Sequence, residues 1–145
     1  MARIKIDIPD TSLTKISLPI RITDINYGNH LGNDALVGLL HEARVTWLNQ
    51  LGWTELNIDG ASIIMSDLAV QYLNEAFYGQ LLEIELYSGE ITAAGFELYY
   101  KVTVNSNNGI INIAKAKTGI VFFDYSSRKV RNMPESFKQL LLNGR

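Results

Sequence analysis

Residues 33–51 carry apolar side chains on nearly every side of a helix, and this segment restricts the fold more than any other. Leu36, Leu39, Leu40, Ala43, Val45, Trp47 and Leu48 together cover most of the helical surface. A helix of this kind cannot lie on a molecular surface; something must be wrapped around it. Asn33 and Asp34 suit its first turn, and Gly52 suits its end. Gly38, in mid-helix, costs about 1 kcal/mol relative to alanine. It marks a point where another backbone, such as that of a sheet, is expected to come close.

The remaining patterns supply the wrapping. Residues 14–23 alternate, with Ile16, Leu18, Ile20 and Ile22 on one side and Ser17, Arg21 and Thr23 on the other, the period of a half-buried strand. Pro19 removes a ladder donor and implies an edge strand or a bulge. Residues 63–73 form an apolar run broken by Asp67 and Gln71. Leu82, Ile84 and Leu86 alternate with glutamates, and Phe96, Leu98, Tyr100, Val102 and Val104 alternate with polar residues. The turn Asn105-Ser106-Asn107-Asn108-Gly109 joins that strand to a long one over 110–123, because Asn and Gly tolerate positive φ. Pro134 opens a short last helix with Phe137, Leu140 and Leu141 on one side. The order is strand, long helix, four antiparallel strands, short helix. One helix cannot cover both faces of a five-stranded curved sheet, so a homo-oligomer is expected to cover the other.

Chemistry concentrates just before the long helix, in the loop Asp24-Ile25-Asn26-Tyr27-Gly28-Asn29-His30-Leu31-Gly32-Asn33. It sets a carboxylate, three amides and an imidazole at a helix N-terminus. The free N–H groups there attract a polarised or negative oxygen. His30 is suited to orienting or deprotonating water, or to bonding the loop to itself. Asn26 is suited to holding water or substrate, or to closing its own turn. Asp24 is suited to accepting backbone N–H groups of the loop. Glu42 and Arg44, on the buried helix, need partners as ionised groups, and His41 reads as a polar contact at an interface.

Composition narrows the classes. With 47% apolar residues among 145, the chain can bury a sizeable core and reads as one domain, 1–145. The 13 basic and 15 acidic residues leave a formal charge of −2, and no basic cluster points to nucleic acid. There is no cysteine, which excludes disulfides and thiolate metal sites. Two histidines without carboxylates at ligand spacing give no metal site. The opening MARIKIDIPD has no signal-peptide run, and no stretch approaches the roughly 20 apolar residues that span a bilayer. A cytoplasmic protein without membrane contact is expected.

The element order and the loop resemble the hotdog-fold thioesterases related to 4-hydroxybenzoyl-CoA thioesterase, over essentially the whole chain. The loop is most similar to members with Asp-x-Asp-x-x-x-His-Val-Asn-Asn before the helix, plant acyl-carrier-protein thioesterases among them. His41-Glu42-Ala43-Arg44 matches a frequent Glu-Ala-Arg, and Tyr72-Leu73-Asn74-Glu75 with Tyr78-Gly79-Gln80 resembles the family's second strand and turn. Val121-Phe122-Phe123-Asp124, Arg128-Lys129 and Met133-Pro134 resemble its usual ending.

The resemblance implies an α+β hotdog fold, a curved antiparallel sheet wrapped around a long central helix. It implies hydrolysis of an acyl thioester of coenzyme A or acyl carrier protein, in a homodimer or homotetramer, with no metal and no organic cofactor. Its site residues would be Asn26, His30 and Glu75 as catalytic groups. Gly32 and Asn33 would bind the substrate carbonyl through their N–H groups. Two positions depart from the pattern: Asn26 stands where relatives carry Asp, and Gly32 where Asn is frequent. An amide cannot abstract a proton or attack as a carboxylate does, so Glu75 is the candidate for the missing base, with a surface glutamate at a strand end as its alternative. A binding protein that holds a thioester uncleaved is the alternative, and a dehydratase of the same fold ranks below it. Lys115, Lys117, Arg128 and Lys129 are candidates for the phosphates of coenzyme A or for a solvated surface. Tyr72, Tyr78, Tyr87, Tyr99 and Tyr100 are candidates for an acyl tunnel or for packing.

Overall fold

The computed structural model describes residues 3–144; residues 1, 2 and 145 of the expected 1–145 domain lie outside them. The chain order is β1 (Thr11–Pro19), a 3-10 turn (Ile22–Asp24), α1 (Asn33–Gln50), β2 (Ser62–Tyr72), β3 (Leu81–Ile91), β4 (Gly95–Ser106), β5 (Gly109–Asp124), β6 (Lys129–Val130) and α2 (Glu135–Asn143). All strand pairs are antiparallel, in the spatial order β1-β3-β4-β5-β2, with β6 on the end of β5. The sheet is open and curved around α1, which is the hotdog architecture.

Alternation builds the concave face. Leu82, Ile84 and Leu86 of β3, Leu98, Tyr100 and Val102 of β4, and Ala116 and Phe122 of β5 are fully buried against Leu36, Leu40, Ala43 and Leu48 of α1. α2 closes the end of this core. Phe137 meets Trp47, Trp53, Phe96 and Phe122 at centroid distances of 5.1–5.9 Å, tilted or edge-on as aromatic quadrupoles prefer.

Four expectations change. First, β1 starts earlier and ends at Pro19 instead of running to 23. The Arg21 N–H donates to the Asp24 carboxylate at 2.8 Å, and this short-range bond folds the following residues into a 3-10 turn. Pro19 is the last residue of an edge strand, and the register shift of β1 falls at Ser12/Thr14 instead. Second, no backbone approaches Gly38, where an added Cβ meets nothing within 4 Å. Gly38 belongs to a solvent stripe of α1 with Asp34, His41 and Glu42. The helix is therefore enclosed on three sides, not four. Third, Glu42 is exposed, and buried Arg44 pairs across the loop with Glu55 (Nε to Oε2, 2.7 Å) and donates to the Tyr100 hydroxyl at 3.0 Å. Fourth, the convex face is not a bare apolar surface. Lys117 bridges Asp67 at 2.9 Å and Glu97 at 3.4 Å there, and residues before β1 cross it, with Ile6 buried.

Candidate active site

The loop before α1 is built by short-range hydrogen bonds. The Asn26 side-chain oxygen accepts the N–H groups of Gly28 at 2.9 Å and His30 at 3.4 Å. The Asn26 N–H donates to the His30 carbonyl at 2.9 Å, and Asn29 takes the left-handed conformation (φ 65°) that asparagine tolerates. Gly28 leaves room for the site: a Cβ there would sit 3.1 Å from His30 Nε2 and 3.3 Å from Asn26 Oδ1. Asp24 is buried. Burial pushes its carboxyl up, but hydrogen bonds and charge from Arg21 outweigh this and hold it below the usual carboxylate range. Asp24 thus fixes the loop, as expected, and takes no part in the cleft.

A second loop brings the distant residue. The Leu31 N–H donates to the Ala76 carbonyl at 2.8 Å, which seats residues 74–76 beside the motif. Asn26, His30, Gly32, Asn33 and Glu75 then line one cleft of about 790 Å³, with Leu31, Leu36, Leu73 and Ile113 as apolar wall. His30 Nδ1 lies 3.2 Å from the Leu31 carbonyl, an obligate acceptor, so Nδ1 carries the hydrogen. Nε2 then faces the cleft, 3.7 Å from a Glu75 oxygen, and in the neutral form of the ring it is an acceptor. Two acceptors at that separation suit a water that donates to both.

At the tip of α1, no side chain caps the helix. Gly32 occupies the N-cap position, and a Cβ there would come within 2.8 Å of an Asp34 oxygen. The two expected N–H donors are not equivalent. That of Gly32 is already donated to the Asp24 carbonyl at 2.9 Å, which leaves Asn33 and the rest of the first turn to receive an oxygen. Asn26 is also more restricted than its type suggests. Its oxygen is held by the loop, so only its NH₂ group remains to meet a substrate.

Tyr72 was not separable by sequence from the other tyrosines. Its hydroxyl donates to the Asn33 carbonyl at 2.9 Å, pinning the first helical residue to β2. Burial, then the Asp34 charge, pushes its phenol above the usual value. Tyr78, Tyr87, Tyr99 and Tyr100 do not line the cleft. Tyr100 is a core residue bonded to Arg44 and Thr118. Lys117 is ion-paired, and Arg128 and Lys129 are exposed near β6, away from the cleft. His41 bonds to Glu55 at 2.7 Å.

Among the described residues no group of three or more His, Cys, Asp or Glu is placed to hold a metal, and no helix is long and apolar enough to cross a membrane. The fold is that of the hotdog thioesterase class. Residues 20–141 match the family model described as thioesterase-like superfamily, and the chain belongs to that family. No curated protein matches the sequence. Among solved structures it is similar to the 1,4-dihydroxy-2-naphthoyl-CoA thioesterase of Synechocystis, with 17% identity, TM-score 0.78, and coverage of 89% of this chain and 95% of that one. It is similar to the 4-hydroxybenzoyl-CoA thioesterase of Pseudomonas sp. strain CBS-3, with 16% identity, TM-score 0.75, and coverage of 90% and 99%. It is also similar to SAV2348 of Staphylococcus aureus, solved in complex with CoA, with 14% identity, TM-score 0.78, and coverage of 97% and 90%.

Proposed function

We propose that this protein hydrolyses an acyl thioester of coenzyme A, or of an acyl carrier protein, to the free acid and the thiol. One observation carries the reading: an uncapped helix N-terminus faces the same cleft as the His30 Nε2 and Glu75 acceptors. Solved structures of the same fold include two acyl-CoA thioesterases, which supports the substrate class.

The thioester carbonyl oxygen sits at the tip of α1 and accepts the Asn33 N–H. The Asn26 NH₂ donates to the same oxygen or to the water. As water attacks, negative charge develops on that oxygen, and fixed donors in a walled cleft stabilise it without reorganising. The attacking water gives one proton to His30 Nε2, and the Glu75 carboxylate stabilises the imidazolium. Collapse of the tetrahedral intermediate breaks the C–S bond, and the leaving thiolate takes the proton back from His30. Every step uses side chains and backbone alone, and the carrier belongs to the substrate.

The test is thiol release from a panel of acyl-CoA esters. Turnover is expected on at least one, and His30→Ala is expected to lower kcat about 10²-fold, the scale of a lost general acid–base group. A folded His30→Ala variant with full kcat makes His30 a loop residue only. One observation favours a second reading: the residue facing the cleft from position 26 is an amide whose oxygen the loop already holds. A binding protein that retains the thioester would show tight acyl-CoA binding with no thiol release.

A further inference from the structure

Among the described residues the active-site cleft has no lysine or arginine in its wall, and two carboxylates, Asp34 and Glu75, line it. A coenzyme A thioester carries several negative charges on the phosphates of its carrier. Those charges have to be met elsewhere if the acyl end is to sit at the helix tip.

The convex face of the sheet offers a place. Lys101 of β4 and Lys115 of β5 are direct partners across the β4–β5 ladder. Both alternate with buried core residues, so their side chains stand side by side on the outer face. Like charges opposite one another in a sheet are destabilising unless something neutralises them. Lys117, two residues along the same strand, solves the problem with Asp67 and Glu97. Among the described residues, Lys101 and Lys115 enter no ion pair. Glu85, the register neighbour of Lys101 on β3, accepts the Ser12 hydroxyl at 2.7 Å. The two lysines instead line a cleft of about 470 Å³ between the sheet and the segment before β1, with Tyr87, Asn112 and, as the one carboxylate among the described residues, Asp10.

This second cleft adjoins the first. Asn112 lines it, while the next residue, Ile113, lines the active-site cleft. The Asn74 side chain, in the active-site wall, donates to the Asn112 carbonyl at 2.7 Å across the boundary. Arg3 adds a third cation at the same rim, donating to the Tyr72 carbonyl at 2.7 Å. Consecutive residues of β5 therefore face an acyl site that is poor in positive charge and a cleft whose two lysines have no ion-pair partner among the described residues.

The geometry points to a phosphate subsite in which Lys101 and Lys115 hold the phosphates of the substrate's thiol carrier, its pantetheine arm crossing the rim at Asn74 and Asn112. This rests on the thioesterase reading above and adds to it where the carrier lies. Lysine is suited to the task as a mobile point charge that follows a phosphate.

The experiment compares wild type with the double variant Lys101→Gln/Lys115→Gln. Its readouts are direct CoA binding by calorimetry and steady-state kinetics on an acyl-CoA and on the matching acyl-pantetheine, which has no phosphate. The variant is expected to bind CoA at least about tenfold more weakly and to raise KM for acyl-CoA to match, with kcat unchanged. KM for acyl-pantetheine is expected to stay at the wild-type value. Melting temperature without ligand is expected to be equal or higher, because a like-charge pair has been removed. The carrier is resolved by pantetheine 4′-phosphate. An equal loss there assigns the subsite to the phosphate that coenzyme A and carrier protein share, and a loss confined to CoA assigns it to the nucleotide end. If the variant binds CoA and turns over acyl-CoA as wild type does, the subsite is wrong and the hydrolase reading stands. If CoA binding falls but wild type cleaves no thioester, the subsite stands and the hydrolase reading falls. No CoA binding by wild type overturns the subsite outright.

Discussion

Asn26 shows how much one residue's role depends on which of its atoms is free. Its oxygen closes the loop on Gly28 and His30, and its NH₂ group is left to the cleft. Asn26→Asp preserves size and the loop bonds but replaces that donor with a second carboxylate oxygen. Asp34 and Glu75 already line the cleft, so the added charge opposes the developing oxyanion. We expect kcat/KM to fall about tenfold or more, as for a lost oxyanion donor. A cycle of Asn26→Asp, Glu75→Gln and the double variant measures whether the two act on one step. Faster hydrolysis in Asn26→Asp would show that Glu75 and His30 are an inadequate base. Asp24 tests the loop in a different way. Its carboxyl is held low in the fold, so its contribution is present above the unfolded value near 4 and is lost as pH falls through the lower folded value. Asp24→Asn should cost about 2 kcal/mol at neutral pH by unpairing a buried charge-assisted network, and the deficit should shrink on acidification below about pH 4. Chemical denaturation across pH reads both.

At the scale of elements, the informative feature is a helix left uncapped. Glycine at N-cap contributes no side-chain acceptor, so the first-turn N–H groups of α1 stay available. Gly32→Ser supplies the missing oxygen and competes with the substrate for those donors. Stability should change by only a few tenths of a kcal/mol, the small gap between serine and glycine at this position. Turnover should fall about tenfold or more, because the oxyanion donors are then shared. Parallel thermal melts and kinetics separate the two effects, and a variant with wild-type turnover would remove the helix tip from the mechanism. β2 supports the same tip through Tyr72, whose hydroxyl holds the Asn33 carbonyl. The elements themselves were largely legible. α1 is found at Asn33–Gln50 against an expected 33–51, and β2 at Ser62–Tyr72 against 63–73. α1 is set by side-chain periodicity over a few turns and β2 by a short, nearly continuous apolar run. β6 was not legible, since Lys129–Val130 has no alternation to read and pairs only because β5 lies beside it.

For the whole molecule, the free edge of the sheet is the main unfinished surface. β2 is 11 residues long, pairs only with β5, and exposes Met65 (43%) and Leu68 (40%). A long apolar edge strand is a template for pairing with another chain. Two copies are expected to join their sheets along β2, with their α1 helices meeting across the interface. Sedimentation at micromolar concentration should give twice the 16.3 kDa chain mass, and Leu68→Lys should lower it toward the monomer. A wild-type monomer at that concentration would count against the dimer. The sequence argued for an oligomer from an uncovered sheet face, but that face carries ion pairs and the segment before β1. The argument now belongs to the edge.

What the sequence determined by itself was everything written in short-range terms. The helices, the five long strands, the turn at Asn107–Asn108 and the loop that presents His30 and Asn26 follow from neighbouring residues. Backbone dihedrals, periodic burial and local hydrogen bonds act over a few residues, and those are printed in the order of the chain. The tertiary structure alone decided which distant groups meet. It set Glu75 3.7 Å from His30, paired Arg44 with Glu55, neutralised Lys117 and left Lys101 and Lys115 side by side. Those outcomes depend on strand order and register, which are chosen by the packing of the whole sheet around α1 and not by any segment of it.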